Sequence, residues 1–321
     1  MARPRFLPDN FTLALIVTVL IATFAPAAGH AAEIFNELTT AAIALLFFMH
    51  GAKLPREVLV AGAKHWRLHL TVLSCTFIVF PILGLLLKPL LQPLMTPRLY
   101  VGILFLCVLP STVQSSIAFT SVARGNVAAA ICSATTSNIL GVMLSPALIT
   151  LLVASHDSTT SSVDAILRIA MQILLPFIAG QIMRPWIGAW ITRHHRAMSM
   201  VDQGSILLVV YTAFSEAVVQ GLWQQLPVPA LAGLLLTCCI LLAIILGLTT
   251  FAARQLGFNK ADEIAIVFCG SKKSLSSGVA IAKVLFAGHA IGAVVLPLML
   301  FHQIQLMTCA VLAQRYAKRK S

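Results

Sequence analysis

The chain has 321 residues, 59% of them hydrophobic and only 10% charged, with a mean hydropathy of +0.94. Soluble domains carry about 25% charged residues, so a chain this apolar cannot cover a water-facing surface and takes lipid as its solvent. The net charge of +12 does not mark a nucleic-acid binder. Most of it follows membrane topology, as the order of the segments makes plain.

Arg3 and Arg5 precede an apolar run from Phe11 to Ala25, followed by PAAGHAAE. Two readings fit this start: a cleavable leader with an A-x-A-like site, or a first spanning helix. The apolar segments are about 18–28 residues long, which suits spanning helices and not the short alternating strands of a barrel. With the first run counted as a helix, the pattern predicts ten spans. They cover 11–28, 34–53, 68–87, 98–122, 127–153, 163–185, 204–222, 230–252, 262–286 and 288–313. If both termini are cytoplasmic, the inner segments hold Arg3, Arg5, Lys53, Arg56, Lys64, Arg67, Arg124, Arg184, Arg193, Arg196, Arg254, Lys260, Arg315, Lys318, Arg319 and Lys320. Only Lys88, Arg98 and Arg168 fall at outer ends, and Lys272, Lys273 and Lys283 lie inside span nine. That asymmetry is the positive-inside pattern, and it favours the first run as a helix.

The connections are short, so 1–321 reads as a single domain. The longest outer loop is the polar SHDSTTSSVD, Ser155 to Asp164. The inner stretches PREVLVAGAKHWR and ITRHHRAMSMVDQ are expected to lie at the membrane surface as amphipathic turns. The seven cysteines fall in apolar segments without metal-ligand spacing and read as reduced, buried side chains. No nucleotide loop, nucleophile elbow or zinc motif occurs, so neither a catalytic set, a resident cofactor nor a metal centre is expected.

Two spans interrupt the apolar rule. Span four reads YVGILFLCVLPSTVQSSIAFTSVARGN, where Pro110 removes a helical hydrogen bond ahead of Gln114, Ser115 and Ser116. Span nine reads DEIAIVFCGSKKSLSSGVAIAKVLF, where Gly270 and Gly278 bracket Ser271, Lys272, Lys273 and Ser274. Irregular backbone at membrane depth is tolerated only where it is buried in protein or faces water. Broken helices at corresponding places in two halves point to a transport site. Span four is fourth of the first five and span nine fourth of the second five, so the halves, about 9–154 and 163–314, read as inverted repeats.

Lys272 lies near the membrane midplane, where a charge costs about 2.5–3.5 kcal/mol on insertion scales. At least one of the two lysines is expected to face a polar cavity. The alternative is an internal pair that serves stability. Glu216, in YTAFSEAVVQG, is the acid most plainly at membrane depth, able to pair with a lysine or to relay protons. Glu37, Asp262 and Glu263 stand near span ends, and His50 and His302 read as helix–helix contacts. Ser133, Thr136, Ser137 and Asn138 in span five serve either as hydrogen-bonding glue or as an ion or ligand site.

These pieces resemble the bile acid:sodium symporter superfamily, in particular its SBF-like branch. The residues that carry the resemblance are LTTAAIALLFFMHGAKL, LPSTVQSSIAFTSVARGNVAAAICSA, DQGSILLVVYTAFSEAVV, NKADEIAIVFCGSKKSLSSGVAIAKVLF and LPLMLFHQIQLM. The resemblance implies an all-α polytopic protein. Its panel would comprise spans 1, 2, 6 and 7, and its core spans 3–5 and 8–10, with spans four and nine crossing at their breaks. It further implies alternating access by movement of panel against core. Sodium-coupled relatives have a glutamate at the span-nine break and a glutamine four residues on; here Phe268 and Lys272 occupy those places. The relatives' Ser-Asn pair falls on Ser115 and Ser116. Phenylalanine offers sodium no ligand and lysine only donors. The reading is therefore a secondary transporter of a small organic anion in a bacterial inner membrane. Gln114, Ser115, Ser116, Ser271, Lys272, Lys273 and Ser274 would contact the substrate. Na⁺ or H⁺ is the candidate coupling ion, with Ser133, Thr136, Asn138, Glu216 or Lys272 as its site. A sodium-dependent anion symporter and a non-transporting regulatory membrane protein are the alternatives. Substrate identity and oligomeric state stay open.

Overall fold

The computed structural model describes residues 10–53, 65–153, 170–225, 227–286 and 291–319. The loop Ser155–Asp164, the start of the expected sixth span and most of PREVLVAGAKHWR lie outside them. Every regular element among the described residues is helical. The longer ones, in chain order, are α1 (Asn10–Phe24), α2 (His30–Lys53), α3 (Trp66–Leu86), α4 (Pro97–Val108), α5 (Val113–Val122) and α6 (Val127–Val153). There follow α7 (Leu175–Arg193), α8 (His195–Val219), α9 (Val228–Gln255), α10 (Lys260–Gly270), α11 (Leu275–Leu285) and α12 (Ile291–Ala317). The expected turn over ITRHHRAMSMVDQ is instead helix: α7 and α8 meet at His194 alone, whose φ of −102° and ψ of 33° depart from helical geometry.

Local signals explain where the helices start. Thr96 caps α4, its hydroxyl accepting from Leu99 N at 3.4 Å, with Pro97 in the first turn where its missing N–H costs nothing. Asn126 and Asn259 cap α6 and α10, accepting from Ala129 N at 3.0 Å and Asp262 N at 2.9 Å. The two caps are joined, because Asp262 accepts from Asn126 Nδ2 at 2.7 Å and from Asn259 Nδ2 at 2.9 Å.

Among the described residues seven helices, with α10 and α11 counted together as one, are long and apolar enough to cross a membrane, and the pair α4–α5, bent by 62°, makes an eighth if it is one span. Their outer faces carry large exposed apolar side chains such as Leu151, Met200 and Phe251. Such surfaces belong in lipid, and the protein is an integral membrane protein.

The helices fall into two compact units. The first takes its described residues from Met1–Leu54, Thr159–Leu226 and Val279–Val295. Within it, α2 and α7 pack backbone to backbone: Gly51 faces the carbonyl of Phe177, Gly180 faces that of Phe48, and Gln181 Nε2 donates to Gly51 O at 2.7 Å. Thr39 and Thr212 share a buried hydroxyl bond of 2.8 Å between α2 and α8. Lys53 reaches Asp202 at 2.5 Å, and Lys283 reaches Glu216 at 2.9 Å.

The second unit takes its described residues from Pro55–Ser158, Pro227–Gly278 and Leu296–Ser321. Here α6 lies against the α4–α5 bend so closely that a Cβ on Gly141 would strike the ring of Pro110. A proline ring cannot rotate aside. Gly141→Ala is therefore expected to cost about 1–3 kcal/mol by overpacking, read as a lower melting temperature of the purified protein. A melting temperature equal to the wild type's would show that the contact is looser than this.

Candidate functional site

Both predicted breaks are present. The first spans Leu109 to Thr112, between α4 and α5; the second spans Ser271 to Ser274, between α10 and α11. Pro110 and Gly270 stand at them as expected. Gly278 does not: it lies inside α11, where the lack of a side chain admits Leu109 and Leu298, each within 2.5 Å of where a Cβ would be. It serves close packing, and the second break ends at Ser274.

A break in an apolar helix frees carbonyls and N–H groups that must find partners. Each break here supplies partners to the other. Ser111 Oγ donates to Cys269 O at 2.6 Å, Ser116 Oγ to Phe268 O at 3.0 Å, and Thr112 Oγ1 to Lys273 O at 2.8 Å. In return, Ser274 N donates to Pro110 O at 2.8 Å. Neighbouring helices complete the set. Ser111 N donates to Ser137 Oγ at 3.0 Å, and Ser145 Oγ to Val108 O at 2.8 Å, both from α6. From α12, Gln305 grips the Lys273 peptide twice, accepting from its N–H and donating to its carbonyl, each at 2.9 Å.

Sequence reasoning treated the two lysines alike, and the structure separates them. Both are fully buried. The ammonium of Lys273 is saturated, donating to Thr76 O and Cys107 O at 2.8 Å and to Leu109 O at 2.7 Å. Its three donors are thus used inside the fold, which leaves none for a ligand in this arrangement. Lys272 Nζ has no hydrogen-bond partner. It sits 3.8 Å from the ring centre of Phe119 and 5.6 Å from that of Phe268, held by cation–π attraction. Phe268 packs in turn against Phe119 and Tyr316, with ring centres 6.0 and 6.2 Å away.

The other predicted residues divide as follows. Ser116 and Ser274 join the crossing, and Ser271 Oγ turns back to Val267 O at 2.6 Å in its own helix. Ser115 Oγ is buried and unpartnered, whereas Gln114 is exposed and takes no part in the crossing. Asn138 accepts from Ser277 Oγ at 2.8 Å, and that hydroxyl meets Ser274 at 3.2 Å, so Asn138 belongs to the second break. Ser133 instead contacts His69 at 2.6 Å, and Thr136 is half-buried between these positions. Glu216 pairs with Lys283 and not with either lysine of the break. Ser137 acts as hydrogen-bonding glue at the first break, whereas Thr76 and Gln305 were not anticipated. Gln305 gave a usable signal, since a glutamine in an apolar run demands a partner; Thr76 acts through its carbonyl, which any residue has.

Two interrupted apolar helices that close each other's backbone at membrane depth define a class, the membrane transporters with broken-helix sites. The particular family follows from comparison: the chain belongs to the SBF-like CPA transporter family, whose model matches residues 9–318. It is 64% identical over 320 residues to the uncharacterized protein PA2026 of Pseudomonas aeruginosa, covering all of this chain and 96% of that one. It is 56% identical over 311 residues to the protein named "Putative symporter YfeH" of Escherichia coli, covering 97% and 93% of the two chains. Sodium/bile acid cotransporter 7 of Rattus norvegicus is 29% identical over 314 residues, covering 96% and 92%.

Proposed function

We propose that the protein is a secondary transporter that moves a small organic anion by alternating access, without sodium at the second break. The observation behind this reading is Lys272, an ammonium buried at the crossing with no hydrogen-bond partner. It has three open donors, and a carboxylate is the ligand that gains most from them. The unpartnered hydroxyl of Ser115 supplies a further bond, and the N-termini of α5 and α11 supply positive dipole ends. Phe268, where the family resemblance expects a glutamate, contributes only a ring. The full reading has ten spans in two inverted five-helix repeats, with a panel and a core in a bacterial inner membrane and both termini cytoplasmic. The division of the helices into two compact units supports the panel and core.

Thermal stability of the purified protein against a panel of mono- and dicarboxylates tests this, followed by uptake of any hit into proteoliposomes. A carboxylate should stabilise the wild type and be transported, and Lys272→Gln should lose at least tenfold in apparent affinity. A Lys272→Gln variant that binds and transports the hit as the wild type does would sink the reading. A sodium-coupled second reading is favoured by the free Ser115 hydroxyl, an oxygen ligand of the kind Na⁺ takes. It predicts that the carboxylate binds tighter as sodium replaces choline.

A further inference from the structure

The three carbonyls that hold Lys273 come from two separate interruptions. In α3 the helix widens to a π-turn over Cys75–Val79, and Phe80 N bonds to Cys75 O, one residue further back than in an α-helix. The next residue, Pro81, has no N–H to give. The carbonyl of Thr76 is therefore denied by both Phe80 and Pro81. In α4 the helix ends before Pro110. Ser111 N, the helical partner of Cys107 O, is diverted to Ser137, and Leu109 has left the helix with a ψ of 154°. Thr76 O, Cys107 O and Leu109 O thus converge at 2.7–2.8 Å on one point, with the ring centre of Phe80 4.0 Å from it.

We infer that these three carbonyls form a monovalent-cation site, which the chain fills with its own Lys273 ammonium. Backbone carbonyls replace the hydration shell of a monovalent cation in ion-conducting filters by the same chemistry. A neutral amine would not serve, because it has two donors and would turn its lone pair toward the third carbonyl. Among the described residues no carboxylate is bonded to the ammonium, and carbonyl dipoles and one aromatic face hold the charge. The spacing suits ammonium or potassium better than the smaller sodium ion. The site is distinct from Lys272, and the inference needs no substrate to be known.

The test is chemical rescue. Lys273→Ala removes a propyl chain and its ammonium, so n-propylammonium chloride is the matched replacement. Melting temperatures are measured for wild type, Lys273→Ala and Lys273→Met in choline, sodium, potassium, ammonium and n-propylammonium chlorides, with n-propanol as the uncharged control. Both variants should melt lower by on the order of 5 °C in choline chloride. Lys273→Ala should recover at least half of that loss with n-propylammonium, and part of it with ammonium or potassium. Wild type should show no such response, and n-propanol should not substitute. Equal rescue by n-propanol, or a Lys273→Met protein as stable as wild type, would overturn the inference. So would a Lys273→Ala protein that cannot be recovered even when prepared in n-propylammonium, since the empty site would then have refused the cation that fits it. Anion binding by Lys272 is read separately, from carboxylate-induced stabilisation of a protein that keeps Lys273.

Discussion

A Gly180→Ala variant is expected to lose the stable packing of α2 on α7, and Gly51→Ala to do the same. At each position the added Cβ would run into a backbone carbonyl, that of Phe48 or of Phe177. A side chain can turn away from such a contact, whereas a carbonyl fixed in a helix cannot. The two helices must separate, and the bond from Gln181 to Gly51 O is lost with them. Overpacking costs about 1–3 kcal/mol where neighbours can adjust, and the upper end applies here. Gly204→Ala is the control. Nothing lies within 4 Å of its Cβ position in α8, and alanine is the better helix former by up to about 1 kcal/mol. Melting temperatures of the three purified variants check the order: Gly180→Ala and Gly51→Ala well below wild type, Gly204→Ala at or above it. Three equal values would contradict close backbone packing.

Lys53→Met should destabilise the same corner through charge. Asp202 is 9% exposed, and one of its oxygens already lacks a partner. Among the described residues, Lys53 is its ion-pair partner, at 2.5 Å. Removing one member of a buried pair leaves an uncompensated charge and costs about 3–5 kcal/mol. The lysine is 32% exposed, so water softens this toward about 2 kcal/mol. The double variant Lys53→Met, Asp202→Asn should recover most of the loss, because it removes the stranded charge as well as the partner. The coupling energy from the four melting curves decides. If the double variant is worse than Lys53→Met, the carboxylate is needed for something other than this pair.

The sequence made much of this legible. Pro110 and the Gly270–Ser274 cluster located both breaks, because little else explains polar and helix-breaking residues inside apolar spans. Other features left no trace in residue type. The different fates of Lys272 and Lys273 depend on where adjacent side chains point once the helix has stopped, and no periodicity applies across four irregular residues. The carbonyls of Thr76, Cys107 and Leu109 are common to all amino acids; only Pro81 and Pro110 hinted that some would be free. Gly278 misled for a related reason. Glycine marks both helix ends and close helix packing, and spacing alone does not say which.

The bonds of Lys273 also set the order in which the protein can be finished. They join it to residues 197, 166 and 164 positions earlier in the chain. During synthesis, α3 and α4 reach the bilayer long before α10 exists. Until then three carbonyls stand open in a solvent that cannot hydrate them. A chain truncated before Lys273 lacks the donor that closes these three carbonyls and would present an incomplete core. The last third of the chain is thus a completion signal for the first, and a nascent protein becomes durable only when the second break has arrived.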